Sequence, residues 1–159
     1  MAIINEERIA QLKKENDAKL EVINNQFEMW LNGIHERVSA ILNAAKDVVC
    51  TYIYFANNNL NADLFKIEEF SGGISSWSEY ARSKYHIRCK ISDGWEARLY
   101  VDSGKIQIER HISGMIDDTV FPFDIITLKR KPAVRNLIEE AVLNFEIYCK
   151  IVIERLNNL

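Results

Sequence analysis

The sequence predicts an α+β fold in which a long N-terminal helix, an antiparallel β-meander and a C-terminal helix form a single domain. Three observations support this prediction. Apolar residues recur at three- and four-residue steps over residues 5–48 and again over 132–157, and they alternate with polar residues over 85–112. The 159 residues can bury a core of their own, and residues 1–159 show no repeat, linker or low-complexity segment.

The N-terminal helix is predicted by one apolar stripe with a mean step of about 3.55 residues. The stripe consists of Ile9, Leu12, Leu20, Ile23, Phe27, Trp30, Ile34, Val38, Ile41, Ala45 and Val48, with Asn16 at its one polar position. Asn5 is placed to cap this helix, and Glu6 and Glu7 favour the positive end of its dipole. The β-branched and aromatic run 48–56 is compatible with a continued helix or with a strand.

The predicted length of this helix bears on function. A helix over about residues 5–48 is roughly 65 Å long, whereas a domain of this size is only about 40 Å across. We therefore expect Glu6–Leu20 to pair with the same helix of a second chain, with Asn16 fixing the register of a homodimeric coiled coil. The alternatives are a helix that stays mobile until a different protein binds it, and a bent helix that lies wholly on its own sheet.

The first turn of the meander is predicted from loop length, because the length of the loop decides which side chains of the two strands lie on the same face. A loop over residues 92–94, with Gly94 left-handed, keeps the apolar residues of both strands on one face. This loop pairs Ile87 with Leu99. A two-residue loop would place Ile91 beside Glu96, so the longer loop is preferred.

The second turn is interpreted as a two-residue loop at Ser103–Gly104, which pairs Leu99 with Ile108. Arg110 then falls beside Ala97 on the apolar face, where we expect it to lie near a sheet edge with its charge in solvent.

The segments on either side of the meander carry weaker signals. Trp77, Tyr80 and Ala81 suggest a short helical turn, and Gly114 with Asp117–Asp118 suggests a break before a possible edge strand over 119–123. The C-terminal helix is predicted over about 132–157, because Pro132 suits a first helical position and an apolar stripe follows it. We expect this helix to pack antiparallel to the first.

Composition limits the classes of function. A formal net charge of -3 argues against a general nucleic-acid binder. The sequence contains no run of about 18 apolar residues and no signal-peptide pattern, so we expect a cytoplasmic protein without a membrane span. Cys50, Cys89 and Cys149 form neither a CxxC pair nor a metal-ligand spacing, and we interpret them as reduced thiols. No cofactor or metal is expected.

Two groups of residues are candidates for binding a partner. On the polar face of the meander, a cationic and aromatic surface for an acidic partner or a phosphate is formed by Arg88, Lys90, Arg98 and Tyr100. A solvated face with cross-strand ion pairs is the alternative interpretation. On the N-terminal helix the candidates are Ile9, Leu12 and Asn16.

No segment matches a catalytic or phosphate-binding motif: GxSxG is absent from the sequence, and the glycine-containing pairs fit turns. His86 and His111 are expected on outer strands of the meander, too far apart to share a metal. The sequence therefore predicts a non-enzymatic protein–protein interaction module, such as a small microbial or phage regulator or inhibitor that occludes its partner. The alternative is a small-molecule or nucleotide sensor whose pocket, between sheet and helices, is lined by Tyr52, Trp77, Tyr80 and Trp95.

Overall fold

The computed structural model of the chain describes residues 3–79, 82–92, 94–112, 115–120, 128–129 and 131–159. Its elements, in chain order, are α1 Glu6–Asn57, β1 Gly73–Glu79, β2 Arg82–Lys90, β3 Trp95–Tyr100, β4 Lys105–Ile112, β5 Met115–Val120 and α2 Pro132–Asn157. Two short 3-10 helices, Ala62–Phe65 and Glu68–Phe70, lie between α1 and β1. No helix in these described ranges has the length and apolarity that crossing a membrane requires.

The chain forms two compact units, residues 1–35 and residues 36–159. The first unit contains the beginning of α1, and the second contains the remainder of α1, the sheet and α2. Within the second unit the two long helices are in contact, because Arg37 Nε donates a hydrogen bond to Glu146 Oε1 at 3.1 Å. The predicted α+β class, with a long N-terminal helix, an antiparallel sheet and a C-terminal helix that contacts the first, is confirmed.

Helix α1 continues past its predicted end at residue 48 and stops at Asn57. The helical spacing of apolar residues continues beyond residue 48. Val48 is buried, and the rings of Tyr52 and Phe55 pack on Phe65 with centroid distances of 5.4 Å and 5.3 Å. Burial of these side chains outweighs the small helix penalty of β-branched and aromatic residues. At the other end, the side chain of Asn5 accepts a hydrogen bond from the Arg8 amide at 3.1 Å, as expected for the cap.

The sheet is an antiparallel meander in the order β1-β2-β3-β4-β5. The predicted register between β2 and β3 is confirmed, with Ile87 opposite Leu99 and Cys89 opposite Ala97. Gly94 adopts the expected left-handed conformation, with φ of 77°. The apolar faces of both strands therefore coincide, as the alternation requires.

The predicted register between β3 and β4 is wrong by two residues. Leu99 lies opposite Ile106, because the loop comprises residues 101–104 rather than Ser103 and Gly104 alone. The Gly104 amide closes this loop by donating to the Tyr100 carbonyl at 2.8 Å, and Gly104 has φ of 70°. A shift of two residues leaves every side chain on its predicted face, so the apolar pattern is satisfied in either register.

The same shift relocates Arg110. It lies opposite Trp95 rather than beside Ala97, and its guanidinium carbon is 5.7 Å from the Trp95 ring centroid. Strand β4 pairs with strands on both sides, so Arg110 is not at the sheet edge. The indole provides a cation–π partner in place of the solvent exposure that the sequence suggested.

The flanking strands correct two further predictions. Trp77 lies on β1, which pairs with β2 along its whole length, so the predicted helical turn at this position is wrong. Tyr80 and Ala81, the other members of that turn, lie outside the described residues. Asp117–Asp118 does not break the chain but lies within β5, at a register shift after which Asp118 pairs with Arg110 of β4. The strand predicted over 119–123 thus begins at residue 115, and residues 121–123 lie outside the described part.

The apolar face of the sheet and α2 provide the core of the second unit. Buried residues on the strands are Ile87, Cys89, Ala97, Leu99, Ile106 and Ile108, and those of the predicted helix stripe are Val134, Ile138, Ala141, Phe145, Tyr148 and Val152. The bounds of α2 agree with the prediction, and Pro132 lies in its first turn. The opposite face of the sheet carries the polar side chains.

Candidate functional site

The first candidate site is the exposed stripe, which we define as Ile9, Leu12, Asn16, Leu20 and Ile23 of α1. Residues 3–26 are all exposed, and the four apolar members of the stripe retain 42–57% of their accessible surface. At 100° per residue the five positions fall within about 80° of the helix circumference. The sequence-predicted residues Ile9, Leu12 and Asn16 therefore share one narrow, solvent-facing strip.

The exposure of the stripe ends abruptly along the helix. Phe27, one step beyond Ile23 at the same period, is buried, and so is Ile34. The rings of Phe27 and Trp30 lie 6.0 Å apart. One continuous apolar period thus contains an exposed part, residues 9–23, followed by positions that are removed from solvent.

The second candidate site is the ionic cluster, which we define as Arg88, Glu96, Arg98, Glu109 and His111 on the polar face of the sheet. Glu96 Oε1 lies 3.3 Å from Arg88 Nε and 3.6 Å from Arg98 Nε. Glu109 Oε2 lies 3.3 Å from Arg98 Nη2 and 3.2 Å from His111 Nε2. His111 Nε2 is also 3.8 Å from Glu96 Oε2. Each carboxylate therefore contacts more than one nitrogen-bearing side chain.

The strand register explains how this ionic cluster forms. Arg88 lies directly opposite Arg98, and Glu96 lies directly opposite Glu109, so the direct cross-strand neighbours carry like charges. The attractive contacts between strands are diagonal, between Arg88 and Glu96 and between Arg98 and Glu109. Diagonal neighbours on a sheet are within reach of long side chains. The ionic cluster is therefore a property of the three strands together.

The environment of Glu109 makes the cluster largely self-contained. Its side chain is only 3% exposed, and the Gln107 amide donates a hydrogen bond to its other oxygen. The Arg98 side chain is 21% exposed and lies between the two carboxylates. The Arg98 guanidinium therefore faces both carboxylates, although its buried Nε has no hydrogen-bond partner among the described residues.

The sequence-predicted sheet residues are therefore only partly brought together. Arg88 and Lys90 line one open cleft, whereas Arg98 belongs to the interior of the ionic cluster. Tyr100 lies against His86, with ring centroids 5.1 Å apart. Glu96, Glu109 and His111 were not singled out from the sequence as a site, and their contacts match the alternative interpretation of this face as one with cross-strand ion pairs.

Two clefts adjoin at Ser71 and Arg88. The smaller has a volume of about 250 Å³ and is lined by Ser71, Arg88, Lys90, Gly94, Trp95, Glu96 and His111. The larger, about 470 Å³, includes Tyr52 and the start of β1. Trp95 and Tyr52, predicted to line one ligand pocket, thus line different clefts. Trp77 lies on β1, and Tyr80 lies outside the described residues.

His86 is a buried histidine on the polar face, at 2% exposure. Burial, with further contributions from Arg98 and Arg88, lowers the pKa of its imidazole to about 4. Among the residues that the structure describes, neither ring nitrogen has a hydrogen-bond partner. His86 is therefore neutral near pH 7.

Two of the three cysteines are buried, whereas Cys50 is exposed. Cys89 and Cys149 are buried free thiols, and burial raises the pKa of Cys149 to about 12. Burial also raises the pKa of Cys89. Within the described residues, no group of three histidine, cysteine or acidic side chains is arranged to hold a metal ion.

Comparisons with family models, curated proteins and solved structures find no match to this chain.

Proposed function

We propose that this protein is a non-enzymatic protein-interaction module that binds through the exposed stripe of α1. The observation that carries the proposal is the exposure of Ile9, Leu12, Leu20 and Ile23 along one strip of a helix. Large apolar side chains that share one exposed strip favour association, because a partner removes them from water. A helix whose anchors recur at three- and four-residue steps suits a helical partner surface.

The chemistry of the sheet supports an interaction role. The charges of the ionic cluster compensate one another, and the burial of His86, Cys89 and Cys149 holds these groups in their neutral forms. A module with an exposed apolar stripe on one helix acts by covering part of the surface of its partner protein, as a regulator or inhibitor of microbial or phage type does. A second copy of this chain is the partner that we favour, and the resulting homodimer is part of the proposal.

Sedimentation velocity over a wide concentration range tests this proposal. The wild-type chain is expected to gain mass with concentration, because two stripes bury each other. Leu12→Glu introduces a charge into the stripe and should keep the chain monomeric at every concentration. Val22→Glu is the matched control, since Val22 is 55% exposed but lies about 120° away from the centre of the stripe.

The two variants give opposite expectations. Val22→Glu should associate like the wild type, whereas Leu12→Glu should not. A wild-type chain that remains monomeric throughout would contradict the homodimer. Equal association of both variants would show that the stripe is not the binding surface.

The second candidate function is the binding of a small anion in the 250 Å³ cleft, favoured by the presence of Arg88 and Lys90 in its lining. The phosphate of a nucleoside monophosphate is a ligand that this pair of cationic side chains could bind. This function predicts that adenosine or guanosine monophosphate raises the melting temperature of the chain, and that Arg88→Gln abolishes the rise. No shift with either nucleotide would count against it.

A further inference from the structure

We propose that the outer edge of β1 binds an extended segment of a partner protein, in which apolar and acidic residues alternate, by adding it to the sheet as a further strand. This surface lies in the second unit and goes beyond the interaction proposed for the exposed stripe. Three features support it: an unprotected backbone edge, an adjoining cleft and a basic face beside the edge.

The start of β1 shows which of its sides is open. β1 is the last strand in the sheet order, so one side of it pairs with β2. Gly73 pairs with Arg88 of β2 on this side. Gly72, directly before it, instead exchanges two backbone hydrogen bonds with Ile67, of 2.7 Å and 2.9 Å. Ile67 therefore occupies the outer side of the chain at Gly72, away from β2.

The β1 edge, which we define as the backbone N–H and C=O groups of Ile74, Ser76 and Ser78, continues this outer side. Backbone groups of successive strand residues alternate between the two sides, so these three residues direct theirs the way Gly72 does. The segment before Ile67 does not follow the edge, because residues 62–65 form a 3-10 helix. Within the described residues, no other backbone segment pairs with the β1 edge.

The β1 edge lacks the usual protection of an outer strand. Proteins commonly shield such strands with lysine, proline or a bulge. Gly73–Glu79 contains neither lysine nor proline, and it pairs with β2 residue for residue without a register shift. Ser76 is exposed, and Ile74 is half-buried. Such an edge is suited to pairing with an extended peptide.

The larger cleft, of about 470 Å³, adjoins the β1 edge and accounts for the apolar residues of the peptide. Its apolar lining includes Tyr52, Phe65, Ile67 and Ile74. Ile74 lies opposite Ile87, on the apolar face of the sheet. An added strand places every second side chain on that face, so the side chain next to Ile74 enters the cleft. An apolar side chain is favoured there, because the lining removes it from water.

The polar face beside the edge is basic and accounts for the acidic residues. Lys84, Arg88 and Lys90 alternate along β2, and all three are exposed. The β1 residues opposite this row include Gly73 and Ser75, which carry no charge. Glu96 of β3 is the carboxylate that pairs with Arg88. The cationic side chains thus outnumber it along this part of the face.

The small residues of β1 leave room for these charges to reach an added strand. A Cβ atom at Gly73 would meet no atom within 4 Å, so the space above it is open. Two strand spacings, about 9.6 Å, separate β2 from an added strand. Extended arginine and glutamate side chains together span this distance across Gly73. In the cleft itself, Lys66 and Glu68 offset each other.

Fluorescence polarisation with the full-length chain tests the side-chain preference. The probe is a fluorescein-labelled heptapeptide in which glutamate alternates with valine, and the control has lysine at every glutamate position. The glutamate peptide is expected to bind saturably and the lysine peptide at least about tenfold more weakly, because like charges oppose it. Absence of binding by the glutamate peptide, or equal affinity of the two, would overturn the proposal.

Two N-methylated forms of the glutamate peptide test the backbone pairing. One form is methylated on the valine amides and the other on the glutamate amides, so each loses the donors of one side. One side of an added strand faces β1. One form should therefore bind at least about tenfold more weakly, and the other should bind like the parent peptide. Equal affinities of the two forms would show that the peptide is not added as a strand.

Ser76→Pro tests the same pairing from the side of the protein. It removes the central donor of the β1 edge but no hydrogen bond to β2, since proline is tolerated where an edge strand faces solvent. Ser76→Thr keeps the donor and is the matched control. The proline variant should bind the glutamate peptide at least about tenfold more weakly than the threonine variant. Equal binding by two folded variants would contradict the proposal, and the methylated peptides decide if the proline variant does not fold.

The Leu12→Glu chain separates the β1 edge from the exposed stripe. It should bind the glutamate peptide with wild-type affinity, because the β1 edge lies in the second unit. Loss of binding in this variant would assign the peptide to the stripe and overturn the proposal. If no peptide binds and Ser76→Pro prevents self-association, the edge belongs to a second copy, which also overturns it. Neither result depends on whether the stripe forms a homodimer.

Discussion

Arg98 and Glu109 form an ion pair on neighbouring strands, with 3.3 Å between Arg98 Nη2 and Glu109 Oε2. Glu109 is almost completely buried although it lies on the polar face of the sheet. A carboxylate in this position depends on its neighbours, because water contributes little to its solvation. The pair therefore contributes to the stability of the sheet and is less suited to capturing an external anion.

Replacing Glu109 should destabilise the folded chain, because it leaves the Arg98 guanidinium with one carboxylate fewer. We expect Glu109→Gln to lower the free energy of unfolding by about 2 kcal/mol in urea denaturation. Asp63→Asn is the control, because the exposed pair of Asp63 with Lys66 should be worth less than about 0.5 kcal/mol. Equal effects of the two substitutions would show that burial does not govern the pair.

The hydroxyl of Tyr148 anchors α2 to the segment that follows α1. It donates a hydrogen bond of 2.6 Å to the Phe65 carbonyl inside the core. Tyr148→Phe should lower the free energy of unfolding by about 1–2 kcal/mol, since the carbonyl loses a buried partner. Tyr54→Phe, at an exposed position, should change it by less than about 0.5 kcal/mol. Chemical denaturation of both variants measures this difference, and comparable losses would argue against the hydrogen bond as the cause.

The buried imidazole of His86 makes stability depend on pH. Its pKa is about 4 in the folded chain against 6.5 unfolded, so between these values the unfolded chain binds more protons. The free energy of unfolding should therefore fall as pH falls from 6.5 to 4, by roughly 3 kcal/mol from this residue, and level off below. His86→Phe should remove this component when urea unfolding is measured at each pH. The same pH slope in wild type and variant would contradict the assignment.

The polar centre of the stripe gives a separate prediction for stability. If Asn16 faces a second copy, Asn16→Leu should raise the melting temperature at high protein concentration and make the register or the oligomeric state less uniform. Asn25→Leu is the matched control, because Asn25 is exposed on the opposite side of the helix. The melting temperature is measured by circular dichroism at two concentrations. An unchanged Asn16→Leu protein would place this amide in solvent rather than in a seam.

The local residue pattern was sufficient to predict those elements for which it allows only one arrangement. Both ends of α2 follow from Pro132 and the apolar stripe after it. The loop before β3 follows because only one short loop length keeps Cys89 and Ala97 on the same face. Ile9 and Leu12 are exposed, in agreement with the expectation that the start of α1 is not covered.

Other features depend on relations that a local pattern does not contain. The register of β4 could not be distinguished from one shifted by two residues, because both keep Leu99 and Ile106 on the apolar face. The burial of Glu109 was not recognised either, because polar positions of an alternating strand are expected to face solvent. Strand β1 was missed because Gly73–Glu79 lacks the strict alternation of apolar and polar residues that marks β2.

Amide hydrogen exchange as a function of protein concentration tests the central claim most directly, because it reports on residues 9–23 individually. An exposed helical segment opens readily alone and is protected when a partner covers it. We predict that amide protection over residues 9–23 increases with protein concentration, while that of the buried α2 residues around Phe145 and Tyr148 stays constant. Protection over residues 9–23 that is the same at low and high concentration would contradict a stripe that binds a second copy.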